Sequence, residues 1–159
     1  MGQAGAFAWA WPWPQKKKRV LLVTGDGELL MSLGILATIA NQGPENLVLL
    51  VMDNESYAET GGQPTATAGP TDLEQVARGC GIKETATFQN EEETEEIRKM
   101  VYGRAGPVFM NIKVFAKPPD LVFSPIHLMG LPLLIGFESL SYRTSLVIII
   151  GINFKTLVC

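Results

Sequence analysis

Histidine and cysteine are almost missing from this chain of 159 residues, which has one histidine, His127, and two cysteines, Cys80 and Cys159. No cysteine pair has the spacing of metal ligands, which excludes a metal site or iron–sulfur cluster held by this chain's own thiolates. So little cysteine fits a reducing compartment, and the cytoplasm is the expected location. Cys80, between Gly79 and Gly81, reads as a small buried side chain rather than a nucleophile. His127 lies in an apolar stretch and reads as structural. Basic residues form no broad stripe and the net charge is −3, so no nucleic-acid partner is expected. Lys16, Lys17, Lys18 and Arg19 read as a solvated flank before a buried strand. No apolar run reaches the roughly 20 residues that cross a bilayer. Residues 145–154 come nearest, and read as a strand or a sticky tail. A secretory signal has its positive charge before its apolar stretch; here the basic run follows the apolar residues 5–14.

Apolar residues make up 47% of the chain, enough for one domain with a core of its own. Residues 19–23, Arg-Val-Leu-Leu-Val, are apolar without alternation, as expected of a strand covered on both faces. After Gly25-Asp26-Gly27 the period changes. Leu29, Leu33, Leu36, Ala37 and Ala40 share one face of a predicted helix from Glu28, which Gly43-Pro44 stops. Residues 47–52 are a second buried strand, and Asn54 to Pro70 a long polar loop. Thr71-Asp72-Leu73-Glu74 has capping-box spacing and opens a helix with Leu73, Val76 and Ala77 inward. A short strand at 86–88, a helix starting at Asn90 with Ile97, Met100 and Val101 inward, and a strand from Pro107 to Val114 complete the order. Strands alternating with helices predict an α/β fold, a mainly parallel sheet with helices on both faces. The domain is bounded at 18–117. Residues 1–17 form an atypical N-terminal segment, and residues 118–159, after Lys117-Pro118-Pro119, an atypical C-terminal tail.

Asp26 and Asn54 each fall just past the C-terminal end of a predicted strand. A right-handed crossover turns both strands the same way, so the two side chains share the crevice where open α/β sheets bind ligands. One carboxylate and one amide oxygen, with the backbone carbonyl of Ser56 as a third donor, suit Mg²⁺, which takes hard oxygens and commonly shares itself between a few protein ligands and phosphate. Gly25 and Gly27 leave room for a phosphate near the backbone. The helix start at Glu28 and Leu29 offers N–H groups to an anion, and the Glu28 carboxylate is expected to point away from it.

These residues carry a resemblance. Gly25-Asp26-Gly27, the following helix, and Asn54 after an apolar strand resemble the thiamine diphosphate motif of the enzymes that use that cofactor. More narrowly, Gly25 to Gly34, Asp53-Asn54-Glu55-Ser56-Tyr57 and Thr60-Gly61-Gly62-Gln63-Pro64-Thr65 resemble the sulfopyruvate decarboxylase beta chain and phosphonopyruvate decarboxylase. The resemblance runs from about Arg19 to Ala116. It implies a thiamine diphosphate-binding (PP) domain and the cofactors thiamine diphosphate and Mg²⁺. The cofactor would contact Gly25, Asp26, Gly27, Glu28, Leu29, Asn54, Ser56 and Tyr57, and the metal Asp26, Asn54 and Ser56. It implies a carboxy-lyase subunit acting on a small 2-oxo acid and inactive alone, because the activating glutamate of such enzymes comes from a separate pyrimidine-binding (alpha-type) chain. The expected unit is therefore a hetero-oligomer. Tyr57 would pack on cofactor or substrate, and Gln63 and Thr65 would bond an anionic tail.

Both ends depart from the family pattern. Trp9, Trp11 and Trp13 stand where relatives carry a glycine-rich helical region, and a truncated chain is one expectation that follows. Other readings stay open here: a catalytically inactive fragment of the same fold, a subunit of a 2-oxo acid oxidoreductase, or a phosphorylatable receiver with Asp53 as acceptor. The receiver needs a second acid beside Asp26 and a lysine at a strand end, and Lys113 reads as lying inside a strand.

Overall fold

The computed structural model describes residues 2–6, 18–115 and 146–150; Trp9, Trp11, Trp13, Lys16, Lys17, His127 and Cys159 lie outside them. In chain order the elements are β1 (Arg19–Gly25), α1 (Asp26–Leu30), α2 (Ile35–Gln42), β2 (Leu47–Asp53), β3 (Ser56–Tyr57), β4 (Gln63–Pro64), α3 (Leu73–Gly79), β5 (Glu84–Phe88), α4 (Thr94–Gly103), β6 (Val108–Lys113) and β7 (Leu146–Ile150). Five strands form one sheet in the order β5-β6-β2-β1-β7, and every pairing in it is parallel.

Apolar residues on both sides of the strands explain the two cores. On one face Val20, Leu22, Leu47, Leu49, Val51 and Phe109 pack with Leu36 and Ile39 of α2 and Leu73 and Ala77 of α3. On the other, Val48, Val108 and Met110 pack with Met100 and Val101 of α4, and Ile97 lies against them. The predicted α/β architecture, helices on both faces included, is the one observed.

Four details differ from the sequence reading. The helix expected from Glu28 to Ala40 is two pieces, α1 and α2, parted by turns at residues 31–34. Ile39 rather than Ala37 then faces the core, and Ala37 is exposed. Gly43 stops α2 in the left-handed conformation, at φ 59°, as its Gly-Pro signal implies. The cap of α3 falls on Asp72, not Thr71: its carboxylate accepts the N–H of Gln75 at 3.1 Å. Glu74, freed from capping, takes the hydroxyls of Thr85 and Thr87 on β5. The long loop holds a small antiparallel ribbon, Ser56 against Pro64 and Tyr57 against Gln63. Arg19 is no solvated flank. Its guanidinium donates to the carbonyls of Val101 at 2.8 Å and Glu45 at 3.0 Å, tying the start of β1 to α4.

Two pieces outside the stretch 18–117 join the same body. β7 pairs with β1, Arg19 opposite Leu146. Residues 2–6 lie over α1 and α2, where the backbone N–H groups of Gln3 and Ala4 donate to the Glu28 carboxylate at 3.1 and 3.2 Å. A Cβ on Gly5 would come 2.8 Å from Ile35, so glycine permits this contact. Cys80 is half-buried against the first core, a free thiol.

Candidate functional site

β1 and β2 are adjacent and parallel, with Gly25 opposite Met52. The next residues, Asp26 and Asp53, therefore leave the sheet side by side, and Asn54 follows one position later. Neighbouring strands stand about 4.8 Å apart, so the rim motif is assembled by register alone.

Asp26 opens α1 and is 2% exposed. Its Oδ2 accepts the hydroxyls of Thr65 at 2.6 Å and Thr67 at 3.1 Å. Burial raises its pKa above the usual carboxylate value; hydrogen bonds from Thr65, Thr67 and the Gly27 amide oppose the rise, and the nearby Asp53 charge adds to it. No ion pair reaches it among the described residues.

Asp53 stands in the opposite electrostatic position. It is 1% exposed. Its Oδ2 receives Lys113 Nζ at 2.9 Å and Asn111 Nδ2 at 3.1 Å, and its Oδ1 receives the Thr67 hydroxyl at 2.8 Å and the Glu55 N–H at 3.2 Å. Burial pushes its pKa up, but the bonds from Lys113, Thr67 and Asn111 outweigh it and hold the carboxyl below the ordinary range. Lys113 is the last residue of β6, at the strand end rather than inside the strand, and also reaches Glu55 at 2.7 Å. Burial lowers the pKa of Lys113, yet its two acidic partners leave it raised.

The turn after β2 presents the amide. Asn54 Oδ1 accepts the Ser56 N–H at 3.0 Å, an Asx turn. Glu55 between them has φ 59°, left-handed for a side-chain-bearing residue, at a cost of roughly 1 kcal/mol or more. Its N–H on Asp53 and its carboxylate on Lys113 hold it there. An amide oxygen has two lone pairs, so Asn54 Oδ1 keeps one for a further partner.

The remaining predicted residues divide. Tyr57 lies against the motif glycine: a Cβ on Gly27 would sit 2.7 Å from its Cδ1, so Gly27 makes room for the ring. Near Gly25 the closest atom to such a Cβ is the Met52 carbonyl at 3.9 Å, which leaves its surroundings open. Leu29 is 2% exposed and its side chain belongs to the core, so only its backbone can face a ligand. The Glu28 carboxylate turns to residues 3 and 4. Thr65 turns inward to Asp26, and the Gln63 amide bonds the Thr60 carbonyl. The sequence reading names none of Thr67, Asn111 and Lys113 among the cofactor or metal residues. Nothing in a polar loop or at a strand end marks them; only register makes Asn111 and Lys113 neighbours of Val51 and Asp53.

The donor set fits a magnesium ion carrying a diphosphate. Asp26 offers a carboxylate without a cation, Asn54 a free amide lone pair, and Ser56 a carbonyl, all hard oxygens. No group of three His, Cys, Asp or Glu gathers among the described residues, so a cation here would rest on few protein oxygens.

Comparison with known proteins bears on the cofactor. A family model described as thiamine pyrophosphate enzyme, C-terminal TPP binding domain, matches residues 1–112. The chain is 44% identical over 78 residues to sulfopyruvate decarboxylase subunit beta of Methanocaldococcus jannaschii, a match covering 49% of this chain and 41% of that one. It is 35% identical over 95 residues to phosphonopyruvate decarboxylase of Streptomyces viridochromogenes, covering 60% of this chain and 24% of that one. The chain thus spans less than half the length of these relatives. A transketolase from Campylobacter jejuni shares the fold at a TM-score of 0.52 and 15% identity, over 70% of this chain and 19% of that one. The receiver alternative falls here: Lys113 does reach Asp53, but the family match and the lone acid after β1 speak against it.

Proposed function

Since the chain belongs to the thiamine pyrophosphate enzyme family, as its C-terminal TPP-binding domain, we propose that it is the cofactor-holding subunit of a 2-oxo acid decarboxylase. The observation that carries this reading is Asp26, a buried carboxylate without a cation partner among the described residues, set beside Asn54 by two adjacent parallel strands. Similarity to sulfopyruvate decarboxylase subunit beta and to phosphonopyruvate decarboxylase supports the reaction class and a 2-oxo acid with an anionic tail. The word subunit in the first name supports a partner chain, which we take to be the pyrimidine-binding one.

In this reading Asp26, Asn54 and the Ser56 carbonyl hold Mg²⁺, and the backbone near Gly25 receives the diphosphate. Bound there, thiamine diphosphate supplies the nucleophile and the electron sink that decarboxylation of a 2-oxo acid requires. The chain's own residues bind and orient. Thr65 and Thr67 occupy one oxygen of Asp26, the Asx turn fixes the Asn54 amide, and Lys113 neutralises Asp53 so that the rim does not present two uncompensated acids. Tyr57 stands over Gly27 beside this set. The activating glutamate comes from the partner, so the chain alone is inactive. A cytoplasmic location is part of this reading, from the scarcity of cysteine in the sequence; no described helix is long and apolar enough to cross a membrane.

Reconstitution tests the proposal. The chain with its partner should release carbon dioxide from a 2-oxo acid only with thiamine diphosphate and Mg²⁺ present, and Asp26→Ala should abolish release. Unchanged turnover in that variant would refute the site. Cofactor binding without turnover on any 2-oxo acid would replace the reading with a catalytically inactive subunit.

A further inference from the structure

We propose that Thr67 is a positioning residue for Asp26, its hydroxyl joining Asp26 to Asp53 so that the carboxylate meant for the cation is oriented from a post already fixed by Lys113 and Asn111. The inference rests on the cofactor reading above and adds a residue to it.

Thr67 belongs to the loop between β4 and α3, yet it is 5% exposed, where loop side chains ordinarily meet water. Its Oγ1 stands 2.8 Å from Asp53 Oδ1, 3.1 Å from Asp26 Oδ2 and 2.8 Å from Thr65 Oγ1. No other side chain bridges the two rim acids among the described residues.

The two ends of the bridge are unequal. Asp53 has both oxygens engaged, by Lys113, Asn111, the Glu55 amide and Thr67 itself, so it cannot turn. Asn111 is given over to this: its Nδ2 bonds Asp53 while its buried Oδ1 has no partner among the described residues. Asp26 has only its Oδ2 in side-chain hydrogen bonds, from Thr65 and Thr67. The last torsion of an aspartate is broad and is fixed by what the oxygens touch. Holding Oδ2 against the hydroxyls fixes the plane of the Asp26 carboxylate, and anchoring Thr67 on Asp53 prevents the pair from drifting. The hydroxyl has a single proton, so it donates to one acid at a time, to Asp53 at 2.8 Å or to Asp26 at 3.1 Å.

The test titrates magnesium thiamine diphosphate by calorimetry into the full chain reconstituted with its partner, in the wild type and in Thr67→Val and Thr67→Ser. Valine keeps the branched shape and loses the hydroxyl; serine keeps the hydroxyl. The Asp26 carboxyl carbon resonance, read by NMR without cofactor, is the second measurement. We expect Thr67→Val to lose about tenfold in affinity, the worth of one hydrogen bond to a charged group, and to shift the Asp26 resonance. Thr67→Ser should restore both. A purely structural threonine would lower the melting temperature and leave the affinity of the folded chain alone. Affinity in Thr67→Val within about twofold of wild type, with the resonance unmoved, would overturn the proposal. A wild type that binds no magnesium thiamine diphosphate with its partner chain present overturns the cofactor reading; the Asp26 resonance, read without cofactor, still reports whether Thr67 orients the carboxylate.

Discussion

Lys113→Met removes an ammonium 2.9 Å from Asp53 Oδ2 and 2.7 Å from Glu55 Oε1, and keeps most of the aliphatic stem. The Asp53 side chain is 0% exposed, so its charge would be left in the protein without a cation. Stripping one partner from a fully buried pair costs about 3–5 kcal/mol. Lys113 is 29% exposed, so water already screens part of the interaction, and Thr67, Asn111 and the Glu55 amide remain on the carboxylate. The expected loss is therefore about 2 kcal/mol. In a chain of this size that lowers Tm by about 4–8 °C near neutral pH. The pH dependence fixes the cause. In the wild type the folded pKa of Asp53 is depressed, so its stabilisation is present above the unfolded value of about 3.9 and is lost as pH falls through the folded value. In the variant burial loses its strongest opponent and the folded pKa moves upward. A raised carboxyl pKa destabilises most at high pH, and protonation relieves it as pH falls. Melting curves at about pH 7.5 and about pH 4.5 should then show a wide gap between the proteins and a narrow one, respectively. Adding Asp53→Asn to Lys113→Met should recover part of the loss, since a neutral amide needs no cation. A gap of equal width at both pH values, or a variant that melts with the wild type, refutes the argument.

Three further predictions test separate joints of the fold. Gly27→Ala brings a Cβ within 2.7 Å of the Tyr57 ring and should destabilise by about 1–3 kcal/mol in urea titration; Tyr57→Ala in the same chain should relieve it. Glu28→Ala takes the shared acceptor from the Gln3 and Ala4 amides, so their hydrogen exchange should quicken while the global midpoint moves by no more than about 1 kcal/mol. Asp72→Ala removes the cap that receives the Gln75 N–H and should cost about 1 kcal/mol, without altering magnesium thiamine diphosphate affinity, because Asp72 lies outside the rim cluster.

The sequence made the strands and the rim legible for one reason. Runs such as Val20–Val23 and Leu47–Met52, with Asp26 and Asn54 just beyond them, are local patterns, and parallel pairing turns equal offsets from two strand ends into neighbours. The helix break at residues 31–34 has no comparable signal, since Met31-Ser32-Leu33-Gly34 continues the apolar period well enough to hide it. The cluster behind the rim is hidden for a different reason. Lys113 and Asn111 reach Asp53 only because β6 lies beside β2, and Thr67 only because the ribbon folds the loop inward. None of these facts is written in the spacing of the residues concerned. Yet this unreadable layer separates the two acids. Asp26 and Asp53 leave adjacent strands at the same level, and both are buried. One has a lysine and a carboxamide, which lower its pKa; the other has two hydroxyls and the Gly27 amide but no cation among the described residues, and burial raises its pKa. In the proposed function a divalent cation entering this rim would be drawn to Asp26, whose charge no cation balances among the described residues. Motif reading reached Asp26 through its glycines; the pairing of Asp53 with Lys113 supports the same choice in the proposed cofactor site.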